Sequence, residues 1–289
     1  DSGTADDDDI TSETAPTLIG TADAATTITL SSNLDGVVGT ATADGAGLWS
    51  ITTMTLSEGA HDLTATSTDT AGNTGAASAA LTTTVDTTAP AAPSTPDLAA
   101  VDDSGSSNTD DITSNTAPII SGTAAADSAV TLTSDLDGVV GTATADGSGL
   151  WSTMPTLSEG AHNLTATSTD TAGNISIAST ALAVEIDTTA PAAPGTADLD
   201  TGSDTGTADN DDITNNTTPL ISGTAQAGST IELTSSLDGV VGTATADGAG
   251  LWSTNPTLSE GVHNLTATST DVAGNTGVIS AALTITVDT

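Results

Sequence analysis

Apolar and threonine residues alternate along much of this chain. Ile28 and Leu30 stand in alternation with Thr, as do Val130 and Leu132, and Ile231 and Leu233. Further on, Leu182, Val184 and Ile186 repeat the pattern, and so do Leu283, Ile285 and Val287. A period of two places the apolar residues on one face and predicts half-buried β-strands. Thr and Val favour strands, while Gly, Asp and Asn mark the turns between them. No stretch carries the apolar spacing of a helix. In the first hundred residues the pattern predicts seven strands, at 18–22, 27–32, 38–43, 48–52, 55–56, 61–68 and 77–85. Turns reading ADAAT, NLDG, ADGAG, a short bend, SEG and DTAGN join them. Seven short antiparallel strands suit an immunoglobulin-like Greek-key sandwich.

The whole pattern occurs three times. GVVGTATADG fills residues 36–45, 138–147 and 239–248, and DDIT fills 8–11, 110–113 and 211–214. Trp49, Trp151 and Trp252 are 102 and 101 residues apart, and His61, His162 and His263 are 101 apart. That period is the length of a sandwich domain, not of a solenoid repeat. The expected architecture is therefore all-β, with three tandem Ig-like Greek-key sandwiches at 1–88, 89–189 and 190–289. One residue is lost between Trp and His in the second and third copies, which belongs in a loop or at a strand edge. The first and last residues fall inside motifs, so a stretch of a longer array is expected.

Charge changes the picture. The 289 residues hold 38 Asp and Glu and no Lys or Arg, a formal net charge of -38. Self-repulsion of that size opposes compaction unless positive charge comes from outside the chain. With no base to neutralise phosphate, nucleic acid is excluded as a partner. There is no cysteine, hence no disulfide and no thiolate metal site. No apolar run reaches membrane-span length, so no membrane insertion is expected in this segment. The core is thin, with one Trp per repeat and neither Phe nor Tyr. Its apolar burial leaves little surplus over chain entropy. A bound ion is the available source of the missing stability. The expected partners are the neighbouring repeats of the same chain, in a monomer.

Counting seven alternating strands assigns each loop to a pole. Asp86 and Glu58 fall at the far pole of the first repeat, with ADAAT and ADGAG. NLDG and DTAGN fall at the near pole beside DDIT. Stacking the repeats then sets Asp86 and Glu58 against Asp103, Asp110, Asp111, Asp170 and Asn174 of the second. The next joint sets Asp187 and Glu159 against Asp204, Asp211, Asp212, Asp271 and Asn275. The outer pole of the first repeat carries the equivalents Asp1, Asp8, Asp9, Asp69 and Asn73. A lone loop aspartate is ordinarily a solvated turn former. Several converging on one joint repel strongly unless a cation joins them. Carboxylate and amide oxygens suit Ca²⁺ and not Zn²⁺ or Cu²⁺. The prolines of DTTAPAAP stiffen the linker.

The motif order is ADL or PDL, DSG, DDIT, TAPxxSGTA, DGxGxWS, LSEGxHxLTATSTDxAGN, and a strand ending in DTTAP. It resembles the bacterial Ig-like repeats of giant calcium-dependent adhesins of the RTX, Bap-like and LapA-like kinds, which include an ice-binding adhesin with extender domains. The resemblance covers all three copies. It implies an extender role on the bacterial cell surface, outside the cell and anchored at the outer membrane. There, Ca²⁺ at the linkers would stiffen tandem sandwiches that project an adhesion domain. It carries ligand roles to Asp86, Asp103, Asp110, Asp170 and Asn174 and to their third-copy equivalents. Asn108 departs from the pattern, standing where the other copies have Asp6 and Asp209. No RTX nonapeptide repeat is present.

Two rival functions are an enzyme and a ligand-binding module. An enzyme would need chemistry around the three histidines, but no GxSxG, HExxH or phosphate loop occurs. A histidine at a strand start, packed near the SEG turn, explains them without catalysis. Ice or carbohydrate binding is the alternative function, through the Thr rows of TATADG and TATSTD. Near-identical copies suit a spacer better than a binding head.

Overall fold

The computed structural model describes residue 2 and residues 8–208 and 210–289. Asp1, Asp6 and Asp209 lie outside the described residues. Among the described residues there is no helix, and each repeat is a sandwich of two sheets. In the first repeat a five-stranded sheet runs Ile10–Thr11, Leu81–Val85, Gly59–Thr68, Thr27–Ser32, Gly36–Thr42. The strand Thr17–Thr21 pairs with Leu48–Thr52 to form the second sheet. In the second repeat that second sheet gains a third strand, Asp97–Leu98, antiparallel to Ile120–Thr123. The third repeat does the same with Asp198–Leu199 and Ile221–Thr224.

The alternating aliphatic residues face inward as the pattern requires. Val130, Leu132, Leu164, Val184 and Ile186 of one sheet meet Ile120 and Trp151 of the other. Ile231, Leu233, Leu265, Ile285 and Val287 repeat this against Ile221 and Trp252. The indole is admitted by a glycine: a Cβ on Gly122 would come within 2.9 Å of the Trp151 ring. A tryptophan thus occupies the space of a larger core residue and the one beside it.

One sequence expectation fails, and its failure moves several loops. Residues 53–58 form no strand. They cross between sheets irregularly, bonded through Leu56 N to the Thr14 carbonyl, and Pro155 and Pro256 remove a donor there in the later copies. Counting that segment as a strand reverses the direction of everything before it. ADAAT and ADGAG therefore lie at the DTAGN pole, shown by the pairing of Thr27 with both Thr42 and Thr68. NLDG lies at the SEG pole. DDIT also changes pole: its Ile-Thr runs parallel to the last strand, with Thr11 beside Val85, Thr113 beside Ile186 and Thr214 beside Val287. The last strand itself covers 81–85, starting later than its expected 77.

Candidate functional site

Among the described residues, each joint carries bonds that run in opposite directions between the repeats. At the first, Asn174 donates Nδ2–H to the Asp86 carbonyl at 2.8 Å and to Asp170 Oδ2 at 3.0 Å. Ser2 of the first repeat donates its hydroxyl to the Ala172 carbonyl of the second, 3.1 Å. The second joint repeats this. Asn275 donates to the Asp187 carbonyl at 2.7 Å and to Asp271 Oδ2 at 3.1 Å, and Ser104 donates to the Ala273 carbonyl at 2.7 Å. The Ser106 amide adds a bond to the Val272 carbonyl, 3.1 Å. The same turn at the outer pole of the first repeat is an internal comparison. Asp69 and Asn73 bond each other there but stay exposed. At the second joint Asp271 is only 3% exposed.

The expected grouping of carboxylates is corrected by the change of pole. Asp103, Asp110 and Asp111 do not meet Asp86; they stand with Asp187 at the second joint, facing Asp271 and Asn275. Asp8 and Asp9 likewise join Asp86 opposite Asp170 and Asn174. Asp204, Asp211 and Asp212 lie at the C-terminal pole of the third repeat, beside Asp288. The second aspartate of each DDIT turns through the left-handed region, with φ of 57, 59 and 57° at Asp9, Asp111 and Asp212. Asp tolerates that conformation. The turn lets its carbonyl receive the amide of Thr84, Glu185 or Thr286 in the last strand.

Asp103 and Asp204 carry the sharpest chemical signal. They are 6% and 9% exposed. In each, Oδ2 accepts a backbone amide, from Asp111 or Asp212, at 3.3 Å. In each, Oδ1 is buried with no hydrogen-bond partner. An unmatched oxygen of this kind costs free energy that a cation would recover. Around it, burial pushes the Asp111 carboxyl above its ordinary range, and Asp103, Asp97 and Asp110 push it further. Asp212 is raised in the same way by burial and by Asp204, Asp198 and Asp211. Among the described residues no three His, Asp or Glu side chains are arranged to hold a metal ion by themselves. The donors nevertheless fit a hard divalent cation, which takes backbone carbonyls and water along with carboxylates.

Glu58 and Glu159 sit differently. Glu58 accepts hydroxyl bonds from Thr87 at 2.8 Å and Thr88 at 2.6 Å, and Glu159 from Thr188 and Thr189. These bonds hold both carboxyls below the usual range and fasten each linker to the repeat it leaves. Sequence reasoning missed Asp97 and Asp198, whose signal was the DL dipeptide before DSG in the second repeat and before SDTG in the third. It also missed the joint serines Ser2 and Ser104.

A pH dependence follows. Asp111 and Asp212 have folded pKa values raised above 3.8, so the folded state holds their protons more tightly. Stability then falls as pH rises from about 4 through the raised values. In EDTA, stability should fall more steeply as pH rises above about 4 than it does in a variant carrying Asp111→Asn and Asp212→Asn. With calcium that fall should disappear, because the cation favours the ionised form. The same pH slope with and without the two carboxyls in EDTA would contradict the clustering.

The histidines are buried fixtures. His61 is fully buried, with Ser32 Oγ 2.8 Å from Nδ1 and the Ser57 carbonyl 2.7 Å from Nε2. The carbonyl can only accept, so Nε2 carries a proton, and in the neutral imidazole Nδ1 receives the serine's. Ser32 Oγ in turn accepts the Leu34 amide at 3.1 Å. The imidazole pins the NLDG turn to SEG, and His162 and His263 repeat the arrangement. Trp151 and Trp252 are core residues, which removes them as stacking platforms for a sugar.

Face-to-face sheets, Greek-key order and end-to-end joints define a tandem array of immunoglobulin-like sandwiches. The chain belongs to the bacterial Ig-like domain family, which matches residues 1–87, 89–188 and 190–289. Among solved structures it is similar to a Ca²⁺-stabilised adhesin that helps an Antarctic bacterium reach out and bind ice. That match is 28% identical with a TM-score of 0.45, covering 100% of this chain and 73% of the other. It is also similar to the BSP domain of a biofilm-associated protein, at 17% identity and TM-score 0.26, covering 91% and 57%. Fibronectin(III)-like modules of Clostridium thermocellum CbhA match at 18% and 0.35, covering 61% and 87%. No curated protein matches the sequence.

Proposed function

We propose that this chain is a calcium-stiffened spacer of a bacterial cell-surface adhesin, acting outside the cell to hold an adhesion domain at a distance. The observation that carries the calcium part is the buried, unpartnered Oδ1 of Asp103 and of Asp204, each inside an acidic cluster on a chain without Lys or Arg. Asp103, Asp110, Asp111 and Asp187 with Asp271 and Asn275 are the residues that would supply oxygens at the second joint. Asp8, Asp9, Asp86, Asp170 and Asn174 would do so at the first. The ion would cancel repulsion between carboxylates and fix the angle between neighbouring repeats. Reciprocal bonds between the repeats supply the geometry to be fixed, and near-identical repeats suit reach better than recognition. The adhesin context rests on the order of motifs along the sequence.

Thermal unfolding in millimolar CaCl₂ and in EDTA tests this. An ion at one hundred times its Kd adds about 2.7 kcal/mol, which raises the melting point of a 100-residue repeat by about 10–20 °C. Asp103→Asn, which keeps the shape and removes the charge, should abolish most of that gain in the second repeat. A melt indifferent to calcium would refute the proposal.

A further inference from the structure

The second repeat carries a neighbour on its C-terminal pole, and the third repeat carries none from this chain. The two poles therefore separate what a repeat builds alone from what a joint adds. The turn that the neighbour brings to the joint depends on stacking. Its aspartate is exposed as Asp69 at the outer pole of the first repeat and 3% exposed as Asp271 at the second joint. The carboxylate with the unpartnered oxygen does not depend on stacking. Asp103 is 6% exposed beneath the third repeat, and Asp204 is 9% exposed with no repeat of this chain above it.

The surroundings of the two carboxylates match bond for bond. The Asp103 amide donates to the Ala99 carbonyl at 3.1 Å, and the Asp204 amide to the Asp200 carbonyl at 3.0 Å. Oδ2 accepts the Asp111 amide in one and the Asp212 amide in the other, both at 3.3 Å. Oδ1 is buried and unpartnered in both. Asp97 and Asp198, on the short strands that end each linker, stand near enough to act on Asp111 and Asp212. Asp271, across the joint, is bonded quite differently. Its Oδ1 accepts the Asn275 amide at 2.8 Å and its Oδ2 accepts Asn275 Nδ2–H at 3.1 Å. The exposed Asp69 makes the same pair of bonds with Asn73. One aspartate thus completes its own turn wherever it stands, while the other lacks a partner with or without a neighbour.

We propose that each cation seat is built by a single repeat: Asp103 with Asp97, or Asp204 with Asp198, holds a divalent cation whether or not another repeat is stacked above. This rests on the calcium reading above and deepens it by assigning the ion to one repeat. Backbone carbonyls and water complete the shell of such a cation. The ion loads a repeat first, and the joint forms second. Through Asp97 it ties the end of the entering linker to the loop between Asp103 and Asp111. That loop presents Ser104 and Ser106 to carbonyls of the third repeat. Asp271 and Asn275 then close over an ion already seated. Calcium stiffens the joint by ordering one side of it, not by bridging the two.

Calorimetric titration of CaCl₂ into the full chain and four variants tests it. Asp103→Asn and Asp204→Asn keep the side-chain shape and should each remove the same number of bound ions. Asp198 is exposed, so Asp198→Asn leaves the fold intact and should weaken one class of site at least about tenfold. Asn275→Ala deletes the bond to the Asp187 carbonyl across the joint and should leave the number of bound ions unchanged. Loss of ions in Asp103→Asn with none lost in Asp204→Asn overturns the inference and leaves the calcium reading standing, because the seat would then need a stacked neighbour. Loss of ions in Asn275→Ala overturns it in the same way. No calcium uptake by the unaltered chain overturns both.

Discussion

Gly105→Ala should open the joint between the second and third repeats while leaving the first joint as it is. Gly105 has φ of +103°, a conformation that side-chain-bearing residues rarely adopt. A Cβ there would fall inside the van der Waals shell of the Val272 carbonyl and 2.8 Å from the Ala273 carbonyl carbon. Backbone on both sides leaves nothing flexible to give way. Backbone strain alone is about 1–3 kcal/mol, and the clash adds to it, so the closed joint should lose at least about tenfold in population. Ser104 and Ser106 would lose their bonds across the joint, yet neither is part of the second repeat's core. The chain has no cysteine, so a pair of spin labels can be placed across each joint. The distance distribution should broaden at the second joint only. Broadening at both, or at neither, would show that the joints are not clamped locally.

Leu98→Ala should cost the second repeat about 2–5 kcal/mol, the range for emptying a well-packed leucine site. Leu98 is 5% exposed and packs with Ile120, Trp151 and Leu182 in one core. It also ends the linker that begins at Asp86. Its loss should free that linker from the second repeat. Denaturant unfolding of the full chain, followed through Trp151 in a background where Trp49 and Trp252 are Phe, reads this out. A loss of only about 0.5 kcal/mol, as for a surface site, would mean that the linker strand is not integral to the repeat.

The strands, the repeat period and the core faces were legible because alternation reports burial directly, as at Val130, Leu132 and Val184. The pairing of DTTAP with DxAGN across a joint was legible too: Asp86 does meet Asn174, and Asp187 meets Asn275. Which repeat supplies DSG and DDIT was not. That depended on whether residues 53–58 make a strand, and a six-residue stretch holding a buried Leu56 gives no periodic signal to decide it. Short strands were missed for the same reason. Asp97–Leu98 and Ile112–Thr113 have two residues each, too few to show alternation, and the second pairs in parallel, which only tertiary structure can specify. The role of Glu58 was hidden in its threonine partners twenty-nine and thirty positions away.

Calcium is proposed to stiffen the line of repeats. Small-angle X-ray scattering of the full chain in millimolar CaCl₂ and in excess EDTA measures that directly. A clamped array gives a narrow, extended particle, longer than about 100 Å for three sandwiches of ten-residue strands with their loops. In EDTA it becomes flexible, with a broader spread of end-to-end distances. Identical profiles in the two buffers would contradict the claim and leave the acidic joints as solvated loops.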